Sequence, residues 1–179
     1  ADSRKGVLER ISVRENLAEA LDGALHIQEN APENLDVKQA LFRRLDAIAA
    51  PEAVIASSTS ALLPSQYGLP GAHRCLVAHP LNPPHLIPAV EIVPSPATST
   101  DAVEATCRLM AAAGQKPILA RREIAGFIMN RLQGALVAVG QRAAFDASVS
   151  RVISLMSNQA AAAIALIELA EANRRLALH

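Results

Sequence analysis

Nine residues constrain this chain more than any others: Leu76-Val77-Ala78-His79-Pro80-Leu81-Asn82-Pro83-Pro84. An aliphatic run leads in, and the prolines forbid a helix afterwards. Such a run, stopped by a polar cluster, reads as a buried strand that delivers its last side chain to a surface. That side chain is His79. Twelve residues on, Glu91 sits inside a second strand-like run, Ala89-Val90-Glu91-Ile92-Val93. A carboxylate among aliphatics is costly to bury without a partner, and an imidazole would serve as one. Taken alone, the two positions fit equally well an ordinary loop histidine and a solvated strand carboxylate.

The rest of the chain alternates between strand and helix patterns. Ile11-Ser12-Val13 alternates like a short strand, residues 15–21 read as a helix closed by Gly23, and residues 24–28 read as a strand. Asn34 is placed to cap a helix over 35–49, with Val37, Leu41, Leu45 and Ile48 as its apolar stripe and Lys38, Arg43, Arg44 and Asp46 on other faces. Ala53-Val54-Ile55-Ala56 is a strand running into Ser57-Ser58-Thr59-Ser60. A hydroxyl cluster there suits a loop lining a cleft in an open α/β sheet, and equally a plain polar turn. After the His79 and Glu91 strands, Asp101 is placed to cap a helix over 102–113, with Glu104 completing a capping box and Gly114 ending it. Pro117-Ile118-Leu119-Ala120 is a last strand. From residue 124 the pattern is helical around Asn130, and only helix-forming sequence follows to His179. Alternation followed by helices predicts an α/β sheet domain over 1–122 and the start of an all-helical domain over 123–179.

Composition removes several function classes. Aromatics make up 2% of the 179 residues and Trp is absent, which argues against a surface that stacks on bases. Lys+Arg and Asp+Glu are both 17, so bulk attraction to nucleic acid or to an anionic membrane is not expected. Cys75 and Cys107 lack metal-ligand spacing and suit small buried residues of a reduced compartment, so no metal is expected. No signal peptide or membrane span is legible, the Ala-rich tail being interrupted by Glu168 and Glu171. The expected location is the cytoplasm.

Six segments, in order and at close to family spacing, resemble the L-3-hydroxyacyl-CoA dehydrogenase superfamily, nearest its lambda-crystallin and L-gulonate 3-dehydrogenase branch. They are Gln28-Glu29-Asn30, Asp36-Val37-Lys38, Ala56-Ser57-Ser58-Thr59-Ser60, Val77 through Pro84, Val90-Glu91-Ile92-Val93-Pro94, and Gly126-Phe127-Ile128-Met129-Asn130-Arg131-Leu132-Gln133. The resemblance spans residues 8–136. It implies a Rossmann-type sheet, NAD as cofactor, a small 3-hydroxy acid or acyl-CoA as substrate, and a homodimer. Carried over by position, His79 would be the general base and Glu91 would hold its other ring nitrogen. Imidazole suits proton transfer in both directions because it titrates near neutrality. Ser60 and Asn130 would hydrogen-bond the reacting oxygen. Glu29, Lys38 and Ser58 would face the ribose and nicotinamide end of the cofactor.

Two departures qualify that picture. None of the eight glycines forms the Gly-x-Gly-x-x-Gly loop on which the family seats the cofactor pyrophosphate. That loop is expected upstream of Ile11, so the sheet is expected to be incomplete at its N-terminus. The match also fades after Leu136, where an Asp-Gly-Leu-Gly-type segment is missing. Three functions are therefore weighed. The first is an NAD-dependent dehydrogenase. The second is a truncated, non-catalytic chain with a structural or assembly role, and the third a regulatory NAD-binding module. The loop Pro83-Pro84-His85-Leu86-Ile87-Pro88 resembles the gulonate branch and points to a small polar 3-hydroxy acid.

Overall fold

A computed structural model describes residues 4–142. Two short helices, α1 (Arg4–Leu8) and α2 (Leu17–Leu21), precede strand β1 (His26–Glu29). Helix α3 (Leu35–Ile48) crosses to β2 (Val54–Ser57). Two 3₁₀ turns, Pro64–Tyr67 and Ala72–Arg74, lead to β3 (Cys75–Pro80) and then β4 (Ala89–Pro94). Helix α4 (Thr100–Ala112) crosses to β5 (Lys116–Leu119), and α5 (Met129–Arg142) follows. The strands lie side by side in chain order. β1, β2 and β3 run parallel, β4 runs antiparallel to β3, and β5 runs parallel to β4. The chain direction therefore reverses once, between β3 and β4.

Each face of the sheet carries its own core, as alternate residues of a strand require. Ile55 and Cys75 join Leu21, Phe42, Leu45, Tyr67 and Leu69 beneath α3. Val54, Ala56, Leu76, Ala78, Val90 and Ile92 meet α4 on the other face. Phe42 and Tyr67 stack with centroids 4.2 Å apart, a pair worth about 0.5–1.5 kcal/mol beyond burial. Arg74 ties the α3 end of this layer together. Its Nη2 lies 2.7 Å from Asp46 Oδ1, and its Nη1 donates to the carbonyl of Ala50.

Several sequence expectations shift against this frame. Ile11 and Val13 form no strand. They are 65% and 87% exposed, and without a neighbouring ladder or burial nothing offsets the cost of ordering them. The first expected helix is shorter, because Asn16 caps it from outside, accepting from Ala18 N and Glu19 N. Helix α3 forms with Asn34 as its cap, yet its buried face is Lys38, Phe42 and Leu45, while Val37 and Ile48 are exposed. The cap of α4 is Ser99, which accepts from Ala102 N, and Asp101 lies inside the first turn. Glu104 pairs with Arg108 one turn on, instead of closing a capping box. The helix around Asn130 begins at Met129. The helical sequence expected beyond residue 142 lies outside the described residues.

Candidate active site

His79 and Glu91 face each other directly across the antiparallel β3–β4 ladder. Residues opposed in this way present their side chains on one face at close range. Here His79 Nδ1 is 2.8 Å from Glu91 Oε2, with the histidine 3% and the glutamate 0% exposed. An ionised carboxylate only accepts, so Nδ1 carries the hydrogen and Nε2 is left as the acceptor. Among the described residues no hydrogen bond reaches Nε2.

The second oxygen of Glu91 is also occupied. Oε1 accepts from the backbone N–H of Ile128 at 2.9 Å and of Met129 at 3.0 Å. Gly126 and Phe127 precede them with φ of 75° and 48°. Two successive residues with positive φ turn the chain sharply just before these amides, and both N–H groups converge on one carboxylate oxygen. Phe127 is fully buried, and its ring centroid is 5.9 Å from that of His79. Glu91 thus fixes the imidazole and also the start of α5, where the next residue is Asn130.

Asn130 donates through Nδ2 to the backbone carbonyl of Ser60 at 2.6 Å. Ser60 is exposed at the mouth of a pocket of about 200 Å³, which also takes in Glu33, Lys38, Ser58, His79 and Asn82. Ser58 is held there by Gln28, whose Nε2 donates to the Ser58 hydroxyl at 2.6 Å and to the Ala78 carbonyl at 2.9 Å. Larger cavities exist, including one of about 290 Å³ beside Tyr67 and Cys75. Convergence of polar groups, not volume, distinguishes the site at His79.

Glu29, expected to face the cofactor, lies behind the His79 pocket. It is 4% exposed and does not border the pocket. Lys38 Nζ donates to both its oxygens at 2.9 Å, the Ser57 hydroxyl donates at 2.7 Å, and Ala31 N donates as well. Lys38 is equally buried, and it also donates to the Ala31 carbonyl at 2.9 Å. This ion pair stays inside because its lone pairs and protons are nearly all used. The residue that sequence reasoning missed is Glu33. Its side chain is 44% exposed, 3.9 Å from Lys38 Nζ, and bonded to the Thr59–Ala61 segment. A carboxylate four residues after Glu29 and five before Lys38 was the available signal, but loop residues have no periodicity to mark them.

Burial shapes the remaining titratable groups. Desolvation pushes the Cys75 thiol up to about 12, with Asp46 adding to the rise and Arg74 opposing it. Burial likewise raises the Tyr67 phenol and the Cys107 thiol above their ordinary ranges.

Comparison with known proteins places this geometry in a family. Residues 1–124 match the NAD-binding domain of 3-hydroxyacyl-CoA dehydrogenase. Rabbit (Oryctolagus cuniculus) lambda-crystallin is 48% identical over 145 residues, covering 80% of this chain and 46% of the relative. The L-carnitine dehydrogenase of Pseudomonas aeruginosa is 44% identical over 130 residues, covering 72% and 40%. A solved structure of 3-hydroxybutyryl-CoA dehydrogenase from Escherichia coli K12 superposes with a TM-score of 0.73 at 28% identity, over 77% of this chain and 29% of that one. The chain spans less than half the length of the curated relatives it matches. With most of its length accounted for in this way, the chain belongs to the 3-hydroxyacyl-CoA dehydrogenase family, matching it through the NAD-binding domain.

Proposed function

We propose that this chain belongs to an NAD-dependent dehydrogenase that oxidises the secondary alcohol of a 3-hydroxy acid or 3-hydroxyacyl-CoA, with His79 as general base. The observation that carries the reading is the buried His79–Glu91 pair, whose imidazole is fixed through Nδ1 and lines a polar pocket shared with Ser58, Ser60 and Lys38. Nε2 takes the hydroxyl proton, and Glu91 stabilises the imidazolium through Nδ1–H. An asparagine amide has two N–H groups. Asn130 spends one on Ser60, and the other, with the Ser60 hydroxyl, orients the reacting oxygen.

The chemistry that NAD supplies when bound is acceptance of the hydride from the alcohol carbon. Among the expected cofactor residues, Ser58 and Lys38 border the pocket; the Ser58 hydroxyl suits the polar groups of a ribose, whereas the three N–H groups of Lys38 are taken by Glu29 and the Ala31 carbonyl. Glu29 does not border it, its oxygens are occupied, and its part is to hold Lys38 in place. The 83–88 loop favours a small polar substrate. The same reading extends to a sheet domain ending near residue 122, a helical domain from 123, and a cytoplasmic homodimer, all supported by the family resemblance.

The test is His79→Gln in a protein carrying this chain at the full length of its relatives. Turnover of 3-hydroxy acids should fall roughly 10²–10⁴-fold, the usual share of a general base, with NAD affinity retained. Near-native turnover would sink the assignment. Absence of turnover from the unaltered protein across 3-hydroxy acids and acyl-CoAs would favour a structural role instead.

A further inference from the structure

Glu33 lies on the turn between β1 and α3, yet its carboxylate reaches across to the loop after β2. One oxygen, Oε1, accepts from the Thr59 hydroxyl at 2.5 Å, from Ser60 N at 3.2 Å and from Ala61 N at 3.1 Å. Donors from consecutive residues converging on one acceptor mean that the loop is curled around that atom. The loop also makes bonds of its own: Thr59 Oγ1 accepts from Ala61 N at 3.3 Å and from Leu62 N at 3.0 Å. Ser60 N has no such substitute among the described residues. Its acceptor is Glu33.

Glu33 is in turn held from behind. Asn34, the next residue, caps α3 by accepting from Val37 N. Lys38, fixed by Glu29, stands 3.9 Å from Glu33 Oε2. On the far side, the Ser60 carbonyl receives the Asn130 amide. A continuous path thus runs from the Glu29–Lys38 pair through Glu33 to Ser60 and on to Asn130.

We propose that Glu33 is a positioning residue, whose carboxylate sets the place of the Ser60 hydroxyl and of the carbonyl on which Asn130 rests. The proposal rests on the reading that Ser60 and Asn130 orient the substrate oxygen. It requires an acceptor oxygen at Glu33 more than a charge, because the loop donors are neutral hydroxyl and amide groups. Glu33→Gln keeps such an oxygen, and Glu33→Ala removes it.

Two measurements decide it. In the 179-residue chain, Glu33→Ala should speed amide hydrogen exchange at Ser60 and Ala61 by roughly tenfold to a hundredfold, as loss of a charged acceptor implies. Ile128 and Met129, held by Glu91, should exchange as before, and Glu33→Gln should restore most of the protection at Ser60. In a protein of full length, Glu33→Ala should lower kcat by on the order of 10–10²-fold with KM nearly unchanged, the cost of a misplaced orienting group. In a Ser60→Ala background the same change should cost clearly less, because the share that runs through the Ser60 hydroxyl is already lost and only the share through Asn130 remains. Unchanged exchange at Ser60 in Glu33→Ala, or kcat losses that simply add, would overturn the proposal. Turnover of Ser60→Ala alone reports on the reaction assignment separately. A native rate there would refute the role of Ser60, while the exchange data still say whether Glu33 holds the loop.

Discussion

Replacing Glu91 separates two effects that the site combines. Glu91 is fully buried and accepts from His79 Nδ1 at 2.8 Å, Ile128 N at 2.9 Å and Met129 N at 3.0 Å. Glu91→Ala leaves these largely buried donors without their acceptor. Each orphaned donor costs about 1–3 kcal/mol, and relaxation with entry of water reduces the sum, so a loss of roughly 3–5 kcal/mol is expected, as for other broken buried pairs. Domains have only about 5–15 kcal/mol in total, so the urea midpoint should move far.

Glu91→Gln behaves differently. Its amide oxygen still serves the Ile128 and Met129 amides, so stability should fall by only about 1–2 kcal/mol, the difference between charged and neutral acceptors. The amide nitrogen then faces His79 and donates, which forces Nδ1 to accept and moves the ring hydrogen to Nε2. The base is lost although the fold remains. Nitrogen NMR of the His79 ring reads the tautomer directly, and urea titration reads the stability. A Glu91→Gln protein with the hydrogen still on Nδ1, or a Glu91→Ala protein less than about 1 kcal/mol weaker, would refute this account.

Three further outcomes follow from the same coordinates. A Cβ at Gly71 would stand 2.0 Å from Asp46 Oδ1. That carboxylate is locked by Arg74, so Gly71→Ala should cost roughly 1–3 kcal/mol by thermal unfolding. Burial pushes the Cys75 thiol up to about 12 in the folded state, whereas the unfolded thiol ionises near its ordinary value of 9.0. The native advantage is therefore complete below pH 9 and lost between 9 and 12, so stability should decline across that window and Cys75→Ala should lessen the decline. Asn130→Ala at full length should lower kcat and kcat/KM together, and a rise in KM alone would assign Asn130 to uniform substrate binding.

The parts legible in the sequence were those that local pattern determines. Both site strands, the cap at Asn34 and the stop at Gly114 follow from runs and residues within one element. What escaped depends on partners far along the chain. Lys38, expected off the apolar stripe and facing the cofactor, lies on the buried face because Glu29 neutralises its charge from β1, and so the helix turns Phe42 inward instead of Val37. Glu33 owes its place to donors on residues 59–61, which no window around it contains. The strand pattern around Glu91 gave its burial but not the reversal of direction that sets it opposite His79. Nor could it show the second oxygen waiting for two amides from beyond β5.

That reversal has an evolutionary consequence. His79 and Glu91 are aligned by the ladder itself, so their spacing does not depend on the segment between them. Residues 82–86 are exposed and loop out beyond the last rungs. They can lengthen, shorten or change chemistry without moving the His79–Glu91 pair, whereas a slip of one residue in β4 would turn Glu91 to the opposite face. Under the proposed function, the connecting loop is free to vary with the substrate while the His79–Glu91 pair stays under the much stricter constraint of sheet register.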